Sequence, residues 1–117
     1  MATEVMMNTR PAESPVVPVQ AVLTDDSETV LRFAAEALSA GMATALVTLV
    51  EIRGGAARAI GAQMAVREDG YYCGFVSGGG IEHAAAWEAL AVTASGQDRL
   101  GKYGEGSTWV DMVLPCG

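Results

Sequence analysis

The chain has 117 residues, half of them hydrophobic but only 6% aromatic, which suits one domain with a core of Ala, Val, Leu, Ile and Met. Its formal charge of -7, with Lys and Arg scattered from Arg10 to Lys102, excludes general nucleic-acid binding, because an acidic surface repels phosphate backbones. Two cysteines exclude a disulfide-rich scaffold, no charged head precedes an apolar run, and the longest apolar stretch, Ala43 to Val50, is too short to span a bilayer, so the chain reads as cytoplasmic.

Three of the four prolines (Pro11, Pro15, Pro18) precede residue 19, and no glycine occurs before Gly41. This composition reads as an extended, flexible arm over residues 1–20, with the folded domain over 21–117. Thr24-Asp25-Asp26-Ser27 supplies N-cap candidates for a helix from Glu28 to Ala40. Its apolar stripe is Val30, Leu31, Ala34, Ala37 and Leu38, and Gly41 stands where a glycine ends a helix. Ala43 to Ile52 is β-branched and apolar on both faces, the pattern of a central strand. Gln63 to Arg67 and Tyr71 to Val76 flank Asp69-Gly70, a hairpin signal. Ile81 to Ser95 reads as a second helix with Ile81, Ala85, Leu90 and Val92 as core contacts. Gly96, Gly101, Gly104 and Gly106 mark a loop-rich stretch before a last strand, Val110 to Leu114. The fold expected is α/β, with α+β as the alternative: a small mixed sheet packed by about two helices.

The richest local feature is a strand, then Ser77-Gly78-Gly79-Gly80, then a helix. Glycines let a ligand approach the backbone, and the helix start offers N–H groups and partial positive charge to an anion. A run of three glycines is more commonly a tight connection. Glu82 falls in the first helical turn, either as an ordinary helix-start acid or as an acceptor beside a bound heterocycle. A second glycine-rich segment, residues 53–61, follows the central strand and carries Arg53, Gly54 and Arg58. Two arginines there can grip an anion, although each alone reads as a solvated loop charge. His83 has no neighbours at metal-ligand spacing, and Cys73 reads as an inert buried thiol. Cys116, in Leu-Pro-Cys-Gly, fits an accessible thiol or an incidental one. No dinucleotide fingerprint and no nucleophile–base–orienter set is present, so no catalytic residue and no metal ligand is named.

Four segments in order resemble the N-terminal domain of the XdhC/CoxI family of molybdenum-enzyme maturation factors: Ala45 to Gly54, Arg58 with Gly61-Ala62-Gln63-Met64, Gly74 with Ser77 to Glu82, and Leu114-Pro115-Cys116-Gly117. This chain departs from the family pattern at Gly55, Ala57, Gln63 and Gly80, where the family often has Ser, Pro, a basic residue and Cys. The resemblance implies an accessory carrier rather than an enzyme. Such a protein binds molybdenum cofactor (molybdopterin), protects it during sulfuration and delivers it to the apo-enzyme of a xanthine dehydrogenase-type molybdenum hydroxylase. A cysteine desulfurase is a further implied partner. It assigns cofactor contacts to Arg53, Gly54, Arg58, Ser77, Gly78, Gly79, Gly80, Glu82 and Cys116. It also implies a second, Rossmann-type domain, for which no pattern occurs here. The alternative is a non-catalytic interaction or oligomerisation module, with Ala84, Ala85, Ala86, Ala89 and Ala91 as small residues for a homo-oligomer surface.

Overall fold

A computed structural model describes residues 16–52, 60–76, 81–103 and 108–114. Six strands and two helices follow in the order β1 (Val19–Val22), α1 (Ser27–Ser39), β2 (Thr44–Ile52), β3 (Gln63–Arg67), β4 (Tyr71–Gly74), α2 (Glu82–Ser95), β5 (Arg99–Tyr103) and β6 (Thr108–Val113). The strands form one mixed sheet in the order β1-β4-β3-β2-β6-β5. Only the β1–β4 pair is parallel. The α/β expectation of a mixed sheet with two helices is met.

Helix α1 starts where its capping chemistry dictates. The Asp26 carboxylate accepts from the Thr29 N–H at 3.2 Å, and Thr24 Oγ1 accepts from the Asp26 N–H at 3.0 Å. The helix ends in a glycine motif: Gly41 has φ 84°, its N–H reaches Leu38 O at 3.0 Å, and the Met42 N–H reaches Ala37 O at 2.9 Å. Val30, Ala34 and Ala37 are buried, whereas Leu31, expected on the inner stripe, is exposed. Val30 and Ala34 pack on Ala65 and Cys73, one face of the sheet.

Strand alternation sends Ala45, Val47, Leu49, Met64, Val66, Tyr72, Val110 and Met112 to the opposite face, under α2. Helix α2 buries Ala85, Ala86, Ala89 and Val92 there. Ile81 and Leu90 are partly buried against this cluster. Ala85, Ala86 and Ala89 are therefore used inside the chain, which corrects their assignment to an oligomer surface. Their lack of bulk lets the helix lie close to the sheet.

The β3–β4 hairpin turns at Asp69-Gly70 as expected, with Gly70 at φ 99°. The Arg67 guanidinium pairs with Asp69 and lies over the Phe33 and Tyr71 rings, 5.5 and 5.3 Å from their centroids. Two strands differ from expectation. β1 takes in Val19 and Gln20 from the stretch expected as an arm, pairing them with Tyr71 and Tyr72. β5 occupies part of the stretch expected as loop. Its Gly101 is buried because the Tyr103 ring and the Glu88 carboxylate lie over it, where a Cβ would sit 2.8 and 3.2 Å from their atoms.

Candidate functional site

Strand direction decides which connections meet. β2, β4 and β5 run the same way, because each is antiparallel to a neighbour that runs the other way. The segments after them leave from one end of the sheet: 53–61 after Ile52, 75–81 after Gly74, and 104–107 after Tyr103. Arg53, Gly54, Arg58, Ser77, Gly78, Gly79, Gly80 and Cys116 lie outside the described residues, so the structure places their flanking elements rather than the residues themselves. The connection 104–107, with Gly104 and Gly106, joins this end and was not assigned to the site from the sequence. Its glycines were the available signal, but the strand order that brings it there was not.

The connection after β2 is closed by backbone bonds. The Leu49 N–H donates to Ala62 O and the Gly61 N–H to Leu49 O, both at 2.8 Å. The connection after β4 begins at Gly74, whose φ is 95°. A Cβ there would stand 2.7 Å from Gln63 O and 2.8 Å from Val30 Cγ2, so glycine is required by both conformation and space. This gives a packing reason for the family-like glycine that precedes the Ser77–Gly80 run.

Glu82 is the site residue that the structure describes. It is half-buried in the first turn of α2, whose N-cap, Ile81, makes no side-chain capping bond. No side chain at the cap position therefore competes for the N–H groups that open this helix. Tyr72, buried on β4, lies near Glu82. Burial pushes its phenol up, and the Glu82 carboxylate adds repulsion that raises it further. Tyr72 is thus a neutral phenol beside the first turn of α2, a neighbour that sequence separation concealed.

On the other flank, at the end of β5, Tyr103 donates its hydroxyl to Glu88 of α2, and Arg99 pairs with the same carboxylate at 3.5 Å. Burial, then the Glu88 hydrogen bond, pushes the Tyr103 phenol far above the usual range. These contacts tie α2 to the strand that feeds residues 104–107.

β6 runs opposite to β2, pairing Thr108 with Ile52 and Val113 with Leu46. It therefore leaves the sheet toward Cys116 at the end opposite the glycine-rich connections. Cys73 is fully buried, and burial pushes its thiol up, as expected of an inert cysteine. His83 is exposed and accepts from Trp87 Nε1 at 3.0 Å. Among the described residues, no three His, Cys, Asp or Glu side chains group to hold a metal ion. No helix among them is long and apolar enough to cross a membrane.

The architecture has relatives. In a xanthine dehydrogenase from Bacillus halodurans, 29% of the chain matches 71% of this one at 21% identity and a TM-score of 0.57, a likeness of fold. PaoD of Escherichia coli (strain K12), described as a molybdenum cofactor insertion chaperone, is 69% identical over 100 residues, covering 86% of this chain and 31% of PaoD. The chain spans about a third of that relative's length. The model of the XdhC and CoxI family matches residues 37–104, from the end of α1 through β5. That match takes in the strands and the helix that surround the glycine-rich end, and the chain belongs to the XdhC and CoxI family.

Proposed function

We propose that this chain is a cytoplasmic accessory domain that binds molybdenum cofactor and serves its insertion into a xanthine dehydrogenase-type apo-enzyme. The convergence of three glycine-rich connections and the α2 N-terminus at one end of the sheet carries this reading. The pterin of the cofactor bears a phosphate, and a helix start without a side-chain cap suits such an anion. Arg53 and Arg58, between β2 and β3, supply countercharge. Gly54, Ser77, Gly78, Gly79 and Gly80 line the approach, and Glu82 accepts from a polar edge of the ring system. Membership of the XdhC and CoxI family and the 69% identity to PaoD support the ligand class.

Cys116 is given a separate role. Three residues of extended chain beyond Val113 span at most about 10 Å. The Leu46 and Ile52 levels of β2, which mark the two ends of the sheet, lie roughly 20 Å apart. On this reading Cys116 serves the metal or sulfur chemistry of the cofactor and its exchange with a sulfur donor, such as a cysteine desulfurase, or the client, rather than the phosphate grip.

The test is a titration of purified protein with molybdenum cofactor, in parallel with Arg58→Ala, Glu82→Gln and Cys116→Ala. The reading expects loss of about ten-fold or more in affinity for Arg58→Ala, the scale of one charge-assisted contact. Cys116→Ala should retain wild-type affinity but fail in transfer to the apo-enzyme. Absence of binding by the wild-type chain, alone and with the client present, would remove the proposal.

A further inference from the structure

Two tyrosines pack on the α2 side of the sheet, and they differ in what their hydroxyls meet. Tyr103, at the end of β5, gives its proton to Glu88. Tyr72, on β4 two residues before Gly74, is only 6% exposed, yet among the described residues its hydroxyl has no hydrogen-bond partner. A phenol ring buries well, but its O–H carries a cost when it leaves water and nothing accepts from it. Such groups are rare in native proteins and call for a partner that the fold itself does not supply.

The surroundings of Tyr72 indicate the chemistry of that partner. Its apolar cluster also holds Ala85 of α2 and Ile81, the residue before Glu82. Burial and the nearby Glu82 carboxylate both disfavour a phenolate, so Tyr72 offers a proton at neutral pH. The start of α2 therefore combines a phenol that donates with a carboxylate that accepts. We infer that the Tyr72 hydroxyl is a ligand donor: it binds a ring carbonyl oxygen of a heterocycle while Glu82 accepts from the ring N–H beside that carbonyl.

This assignment rests on the proposed function and names a group that reads the ring rather than its phosphate. The pterin has such an edge, with a carbonyl next to a ring N–H. A phosphate at the same place would face the Glu82 charge, whereas a neutral donor–acceptor edge meets a complementary pair.

The test is Tyr72→Phe, which removes the hydroxyl and keeps the ring. With no bond to lose, the free variant should melt no lower than wild type, whereas Tyr103→Phe should melt lower. Titrated with molybdenum cofactor, Tyr72→Phe should bind on the order of ten-fold more weakly. Its affinity for inorganic phosphate should match that of wild type. Equal cofactor affinity in wild type and Tyr72→Phe would overturn the inference and leave the proposed function standing. An equal loss toward inorganic phosphate would overturn it by placing Tyr72 in the phosphate grip. A free variant that melts well below wild type would overturn it too, because the hydroxyl would then be bonded within the chain. Failure of the wild-type chain to bind cofactor would remove both readings.

Discussion

Replacing Gly74 by alanine separates two costs that glycines usually combine. Gly74 and Gly61 have nearly the same φ, 95° and 96°, yet an added Cβ meets nothing within 4 Å at Gly61. At Gly74 it meets Gln63 O at 2.7 Å, Val30 Cγ2 at 2.8 Å and Met64 Cα at 3.2 Å. Two of these atoms are backbone of the adjacent strand, so the site cannot yield by rotating a side chain. The conformational cost, roughly 1–2 kcal/mol, is common to both substitutions. Overpacking adds about 1–3 kcal/mol at Gly74 alone. Gly74→Ala should therefore cost about 2–5 kcal/mol, a large share of a total stability of roughly 5–15 kcal/mol. In urea, with a slope near 1.5 kcal/mol/M, the midpoint should fall by about 2 M for Gly74→Ala and by about 1 M for Gly61→Ala. Equal midpoints for the two variants, with unchanged slopes, would refute the steric account of this glycine.

Three further outcomes follow from the titrating and capping groups. Tyr103, Tyr72 and Cys73 all hold their protons more tightly folded than unfolded. Above about pH 9 the unfolded chain therefore releases protons first, and the melting temperature should fall as pH rises. Tyr103→Phe should flatten that decline and cost about 1 kcal/mol at neutral pH through the lost bond to Glu88; an unchanged alkaline slope would count against the buried phenol. In a Cys116→Ser background, Cys73 should react with a thiol reagent only at the rate of unfolding, and rapid labelling of the native protein would contradict its burial. The Asp26 carboxylate is held below its ordinary 3.8, chiefly by its bond from the Thr29 hydroxyl and then by the Thr29 N–H. Asp26→Ala should thus lower the melting temperature at neutral pH, with the difference from wild type shrinking as acid protonates the cap. A difference that persists in strong acid would point to a cause other than the ionised cap.

The parts legible in the sequence are those where local chemistry and tertiary packing agree. Asp26, Thr29 and Gly41 mark the ends of α1 by hydrogen bonds made within a few residues. The hairpin is announced by Asp69-Gly70, and β2 by its apolar run. The two edge strands lacked such signals. All four residues of β1 are exposed, so no alternation marks it, and its order comes from partners on β4 far along the chain. In β5, Gly101 reads as a breaker, although its missing side chain is what admits Tyr103 and Glu88. Leu31 shows the reverse failure: it satisfies helical periodicity, but α1 meets the sheet along the narrower line of Val30, Ala34 and Ala37.

For the candidate site, residue types were visible and their grouping was not. Glycine runs, arginines and Glu82 can be read directly, but which of them share an end of the sheet depends on strand direction. β2, β4 and β5 are parallel in direction while never adjacent, an arrangement that only the full order β1-β4-β3-β2-β6-β5 reveals. That order puts the connection after β5 at the same end of the sheet as those after β2 and β4, and sends β6 the other way. The two ends of the sheet therefore differ in what they present. The end with the glycine-rich connections and the α2 N-terminus suits an anionic ligand. The end where β6 departs is set by an antiparallel ladder of Leu46, Val47 and Thr48 with Val113, Met112 and Asp111. The proposed ligand end and the end from which β6 departs are thus opposite ends of one antiparallel β2–β6 pair.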